Sequence, residues 1–192
     1  MTCSPPYLTE DKTANELICN NPLALLIGMM LDQQIPMERA FGAPYLLSER
    51  LGVELRADHI ASFDPDRLIE IFSIKPALHR FPRSMALRAQ SLCSIVETTY
   101  ANDASKIWDP SQSARKVLDN LQALPGFGPQ KAKIFLALLA KRFDVTPSGW
   151  VEATRPFGEA GTYMSVADID SLEAFNKVRS FKAEMKKTAT KP

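Results

Sequence analysis

The stretch Leu124-Pro125-Gly126-Phe127-Gly128-Pro129-Gln130-Lys131-Ala132 decides the fold, because it joins two helical patterns through a turn built on glycine. Upstream, Val117, Leu118, Leu121 and Leu124 recur at helical spacing, and downstream Ala132, Phe135, Leu136 and Leu139 do the same. Each helix therefore has a face to bury. Pro125 ends the first helix, Gly126 and Gly128 accept positive φ at little steric cost, and Pro129 suits the first position of the second helix. Phe127 is expected to plug the turn into the core. Pro129 has no N–H, so the donors left at this helix start are the amides near Gly128, Gln130 and Lys131, a small electropositive anion site. Without side chains at the glycines, the backbone can approach a nucleic-acid phosphate closely and without regard to sequence. An ordinary helical turn, or a hairpin used for protein contact, is the plainer reading of the same residues.

A second stretch, Leu25-Leu26-Ile27-Gly28-Met29-Met30-Leu31-Asp32-Gln33-Gln34, belongs to a helix that Asn21 caps and Pro22 opens. It is apolar nearly all round and should run through the interior. Buried helices seldom end in three polar residues unless the end reaches a surface or a cleft, since unpaired amides are costly inside. The alternative is that Gln33 and Gln34 merely cap the helix and hold the Ile35-Pro36 turn.

Together the two stretches resemble the helix-hairpin-helix (HhH-GPD) glycosylase superfamily of base-excision repair, which includes endonuclease III and 3-methyladenine DNA glycosylase II. They come in family order and at about the family separation, so the resemblance covers most of residues 22 to 150. It implies a two-lobed, all-α fold in one unit over 1–192. The central lobe would be 22–135, with the hairpin at 124–129, and residues 1–21 plus 136–192 would form the second lobe. It implies a protein that flips a damaged base from duplex DNA and hydrolyses its N-glycosidic bond. Gln34 aligns with the glutamine that fills the vacated gap. The loop from Ser73 to Arg83 takes the place of one that enters the minor groove, where Leu78, His79 and Phe81 are the stacking candidates. Core packing of Leu78 and Phe81 is the competing reading. The resemblance places DNA contacts at Gln34, His79, Arg80, Phe81, Gly126, Gly128, Gln130, Lys131 and Lys133. It also places a monovalent cation on the carbonyls of Gln122, Leu124 and Phe127.

The chemistry departs from the family. In the lyase branch a lysine two places after the second hairpin glycine attacks the sugar; that position is Gln130 here, and Lys131 comes one residue late. The hydrolytic aspartate falls near Ser148 or Gly149. Cleavage of the bond builds positive charge on the deoxyribose, which a carboxylate beneath the sugar would stabilise. Asp144 is the first candidate and Asp32 the second, with pairing to Lys141 or Arg142 as the plainer role of Asp144. With an amide in the lysine position, no Schiff base is expected. A catalytically silent protein that binds damaged or distorted duplex on the same scaffold is the alternative.

Composition is consistent with a DNA partner only through its distribution. The net charge is +1, yet residues 1 to 70 sum to −6, while 71–96 and 120–143 carry four bases each and no acid. One acid-free window, with Lys75, Arg80, Arg83 and Arg88, spans the loop; the other, with Lys131, Lys133, Lys141 and Arg142, spans the hairpin. Solvated faces explain such windows equally well singly. Cys3, Cys19 and Cys93 lack ligand spacing and are expected to be reduced thiols; no cysteine follows Cys93, so no iron-sulfur cluster is expected. His79 has only His59 as a second histidine, which argues against zinc. The longest apolar run, Leu23 to Leu31, is too short for a bilayer and the first residues lack a secretion-signal pattern. A cytoplasmic monomer without membrane contact is expected, nucleoid-associated if bacterial.

The remaining segments read as helices. Thr9 is expected to cap a first one from Glu10; Pro36 and Pro44 bracket another that restarts at Tyr45 and stops at Gly52. Further helices are expected from Asp64-Pro65, from Ser84 to Tyr100, from Ser111 to Ala123, from Trp150 to Phe157 and from Ser171. The last carries a stripe of Leu172, Phe175, Val178 and Phe181 or Lys182, and the basic end from Lys186 should fray. No strand alternation or repeat is present, so the expected class is all-α.

Overall fold

The structure is a computed structural model describing residues 7–189, with side chains described as far as Met185. Cys3 and the tail from Thr190 lie outside that range. Ten α-helices occur among the described residues: α1 (Lys12–Asn20), α2 (Pro22–Leu31), α3 (Met37–Leu51), α4 (Ala57–Ala61), α5 (Pro65–Ser73), α6 (Pro82–Tyr100), α7 (Ala114–Gln122), α8 (Pro129–Arg142), α9 (Trp150–Thr154) and α10 (Leu172–Ala189). No strand occurs among the described residues, and the class is all-α.

Helix α2 is the axis. Asn21 caps it through the Ala24 amide, Pro22 opens it, and every residue from Leu23 to Leu31 is buried. Against it α3 comes so close that a Cβ on Gly28 would stand 2.8 Å from the Phe41 ring. Pro44 does not interrupt α3. The helix runs through it because Ala40, Phe41, Ala43 and Leu47 all bury on one side, and this packing outweighs a local cost of about 3 kcal/mol for an interior proline. Its end at Gly52, in the left-handed region, is as expected.

Asp11, rather than Thr9, caps α1, since its carboxylate accepts from the Ala14 amide. Asp64 and Ser113 cap α5 and α7 in the same way. The buried apolar side chains form one continuous cluster from Leu8 to Val178, shared by segments that the two-lobe expectation puts in different halves. Helix α1 itself packs on α2 and α3. In α10, Phe175 and Val178 are buried as expected, while Leu172 is exposed.

After α9 the chain crosses α8 with little regular structure. A single carboxylate organises it. Asp168 accepts from Lys141 Nζ at 2.7 Å, Thr162 Oγ1 at 3.0 Å, and the Met164 and Ser165 amides at 2.9 and 3.1 Å. Cys93 is a buried free thiol, but Cys19 is disulfide-bonded, against the expectation of three reduced thiols. No single helix among the described residues is long and apolar enough to cross a membrane.

Candidate nucleic-acid interface and cleft

The hairpin forms as its residues dictate, with one difference. Gly126 takes φ +87, and a Cβ there would meet Arg88 Cδ at 3.0 Å and Met30 Cγ at 3.3 Å, so the turn presses on α2 and α6. Gly128 has φ −73 and is the N-cap of α8 rather than a second left-handed turn residue. A Cβ on Gly128 would point into open space. Phe127 is buried edge-on to Phe135, as expected of the plug. Pro129 opens α8, and no side chain caps it, so the first-turn amides face outward beside exposed Gln130.

The C-terminus of α2 meets this hairpin. A helix end exposes carbonyls that need donors, and here they come from two distant segments and from Gln33 beside the end itself. Lys131 Nζ donates to the Met30 carbonyl at 3.0 Å, as does Gln33 Nε2 at 2.9 Å, and His79 Nε2 lies 2.8 Å from the Gln33 carbonyl. Arg88 donates to Gln33 Oε1 at 3.3 Å. The two stretches singled out in the sequence therefore share one site. Between them lies a cleft of about 370 Å³ lined by Met29, Asp32, Gly126, Gly128, Gln130 and Lys131, among others. A larger groove of about 640 Å³, beside Arg39, Tyr45 and Ala77, has none of the hairpin residues in its walls.

Asp32 caps the C-terminal end of α2, the negative pole of the helix and an unfavourable place for an acid. Cations offset this. Lys182 Nζ, from α10, lies 3.6 Å from Asp32 Oδ2, and Lys131 also feels the Asp32 charge. Burial nevertheless pushes the Lys131 amine down to about 8, with Arg88 and Lys182 lowering it further and Asp32 opposing them. An amine in this range keeps an unprotonated fraction near neutral pH, which nucleophilic chemistry requires. Lys131 is thus directed inward, where surface contact with phosphate had been its expected role.

Other expected residues separate into presented and hidden. Phe81 is 43% exposed, with the Arg80 guanidinium 5.4 Å from its ring centroid, and forms a bare aromatic edge at the start of α6. Gln34 is exposed and holds φ +57, a conformation costing a non-glycine residue about 1 to 2 kcal/mol. Lys133 is half-buried. His79 and Leu78 are each 1% exposed, so neither offers a surface for stacking. His79 instead braces the loop: its Nδ1 accepts from the Phe81 amide at 3.0 Å, which leaves Nε2 to donate to Gln33.

Asp144, the first carboxylate candidate, is exposed at the far end of α8, roughly 20 Å from the hairpin by the rise of its 14 residues. Asp32 alone of the two lines the cleft. The charge window around the hairpin is also smaller than its sequence implies. Lys141 pairs with Asp168 at 2.7 Å and Arg142 with Asp170 at 3.6 Å, both holding the crossing loop. The cation expected on the hairpin involves Gln122, Leu124 and Phe127; the Leu124 carbonyl already accepts from the Phe127 amide at 3.2 Å, which leaves it one lone pair. Sequence reading missed Arg88 and Lys182. Arg88 lay within an acid-free window, whereas nothing local marks Lys182.

Burial disfavours the charged form of His79, as do Arg39, Lys131 and Arg88, and its pKa lies below the ordinary 6.5 despite the opposing bond to Gln33. An unfolded chain takes up this proton first, so stability is lost as pH falls below about 6.5. Protonation would also turn Nδ1 into a donor facing the Phe81 amide. The urea midpoint should drop between pH 7.5 and 5.5, and drop less in His79→Gln, which cannot protonate. Equal drops in both proteins would show that His79 carries none of the pH dependence.

No family model matches the chain, and no curated protein is significantly similar to it in sequence.

Proposed function

We propose that the chain is a base-excision DNA-repair protein of the helix-hairpin-helix kind, a glycosylase acting on duplex DNA with a damaged or mispaired base. The observation that carries this reading is the cleft where Asp32 and the Lys131 amine meet beside an uncapped helix start. Its chemistry favours an amine route over hydrolysis. The Lys131 nitrogen attacks C1′, the bond to the base breaks, and the base leaves with a proton. That proton comes from the attacking amine; the nitrogen lone pair of the resulting aminal then breaks the C1′–O4′ bond, O4′ takes a proton from water, and the iminium formed is what borohydride reduces. Asp32 stabilises the positive charge that builds on the sugar. Phe81 with Arg80, and Gln34, stand ready to occupy an opened duplex.

One observation favours the silent binding protein instead: Gln130 occupies the family's lysine position, and Ser148 and Gly149 offer no carboxylate. Single-turnover base release from alkylated, oxidised and deaminated duplexes, with borohydride present in parallel, separates these readings. Release with a trapped adduct supports the amine route. Salt-dependent binding without release leaves the silent reading, and no binding leaves a hairpin for protein contact.

Gly128→Asp tests the hairpin itself. The open space around Gly128 and its ordinary φ accept a side chain, so the fold should survive. The new charge opposes phosphate, and duplex affinity should fall about tenfold or more for every sequence, on the scale of a lost charge-assisted contact. Unchanged affinity in the folded variant removes the hairpin from the interface.

A further inference from the structure

Two lysines from separate elements act on Asp32: Lys182 on α10 pairs with it at 3.6 Å, and Lys131 on α8, which lines the same cleft, feels its charge. The Asp32 side chain is 12% exposed, while that of Lys182 is 38% exposed. Lys182 is the more exposed member of the pair. Lys131, the other cation that feels the Asp32 charge, now gives its bond to the Met30 carbonyl.

We propose that Lys182 is a positioning residue for this cleft: by holding Asp32 Oδ2 it limits how fully that carboxylate pairs with the Lys131 amine, leaving more of the amine unprotonated and open to substrate. The proposal rests on Lys131 being the nucleophile. Two effects act together when Lys182 is removed. A like charge disappears from beside Lys131, and a carboxylate becomes free to pair with it; both favour the protonated, unreactive form.

The test is a titration that needs no DNA. In protein labelled with ¹³C-lysine, the Lys131 Cε resonance, assigned by its loss in Lys131→Arg, reports the protonation midpoint. Lys182→Gln should raise that midpoint by about one pH unit, the size of a lost charge neighbour and a gained partner. Lys182→Arg, which keeps the charge and can still pair, should stay near wild type. In an Asp32→Asn background the same Lys182→Gln change should raise the midpoint much less than it does in the wild-type background, because no carboxylate remains to be captured. An unchanged midpoint in Lys182→Gln overturns the proposal, and so does a rise that survives intact without Asp32. Borohydride trapping on an abasic duplex then reads the consequence: Lys182→Gln should trap several-fold less at pH 7 and recover at pH 9. A uniform loss at both pH values would mark Lys182 as merely structural and overturn the positioning role. If the midpoint moves as expected but wild-type protein traps nothing at any pH, the amine route fails while the coupling of Lys182, Asp32 and Lys131 stands.

Discussion

Lys131→Gln should abolish the borohydride-trapped adduct with abasic duplex, a loss of at least about a hundredfold in rate, because an amide has no nucleophilic amine. Wild-type protein should show the matching pH dependence. Its amine, held near 8 mainly by burial, is protonated below that value, so trapping should rise with pH and level off above it. Stability gives an independent reading of the same group. The folded chain releases this proton near 8 and the unfolded chain near 10.5, so wild-type stability should rise with pH across that window. Lys131→Gln should lack that rise. Undiminished trapping in the variant would move the nucleophile to another residue, and the absence of any difference in the stability profile would show that Lys131 is not desolvated.

The second large effect belongs to Asp32. Asp32→Asn keeps the shape of the residue while removing the only carboxylate among the described residues that line the hairpin cleft, and base release should slow by about a hundredfold. The fold should tolerate the change, since an acid at the C-terminal pole of α2 is itself unfavourable and its ion pair with Lys182 is partly solvated. Asp144→Asn is the built-in comparison. Sited beyond the far end of α8, it should leave the single-turnover rate unchanged. Equal losses in both variants, or none in Asp32→Asn, would remove the electrostatic role from Asp32.

The parts legible in the sequence are those fixed by near neighbours. Asn21-Pro22, Asp64-Pro65 and Gly52 mark helix ends because a cap or a left-handed turn is a local requirement, and each stands where expected. The Gly126 turn, the Phe127 plug and the buried length of α2 follow the same logic. What stayed hidden was decided by distant partners. Pro44 reads as a break until the packing around Phe41 and Leu47 is known. Lys131 reads as a surface cation until the Met30 carbonyl, a hundred and one positions away, turns it inward. His79 reads as a stacking group until its two nitrogens are seen to be engaged at Phe81 and Gln33. Nor does any pattern pair Lys182 with Asp32, since α10 reaches that carboxylate only through the folded chain.

The Asp168 arrangement bears on how this chain can vary. One carboxylate gathers a lysine, a threonine and two backbone amides, and so fixes the path of the segment that crosses α8. Within 155–171 packing constrains Phe157, Gly158, Val166, Ala167 and Ile169, while the exposed positions are free to drift, provided that 141 and 168 keep opposite charges and 162 keeps a hydroxyl. Tolerance in that region is then greatest around exposed Ala160 and Gly161, where length changes are the cheapest innovations open to the lineage. Such changes would reshape that face of the molecule without disturbing the end of α2 at all.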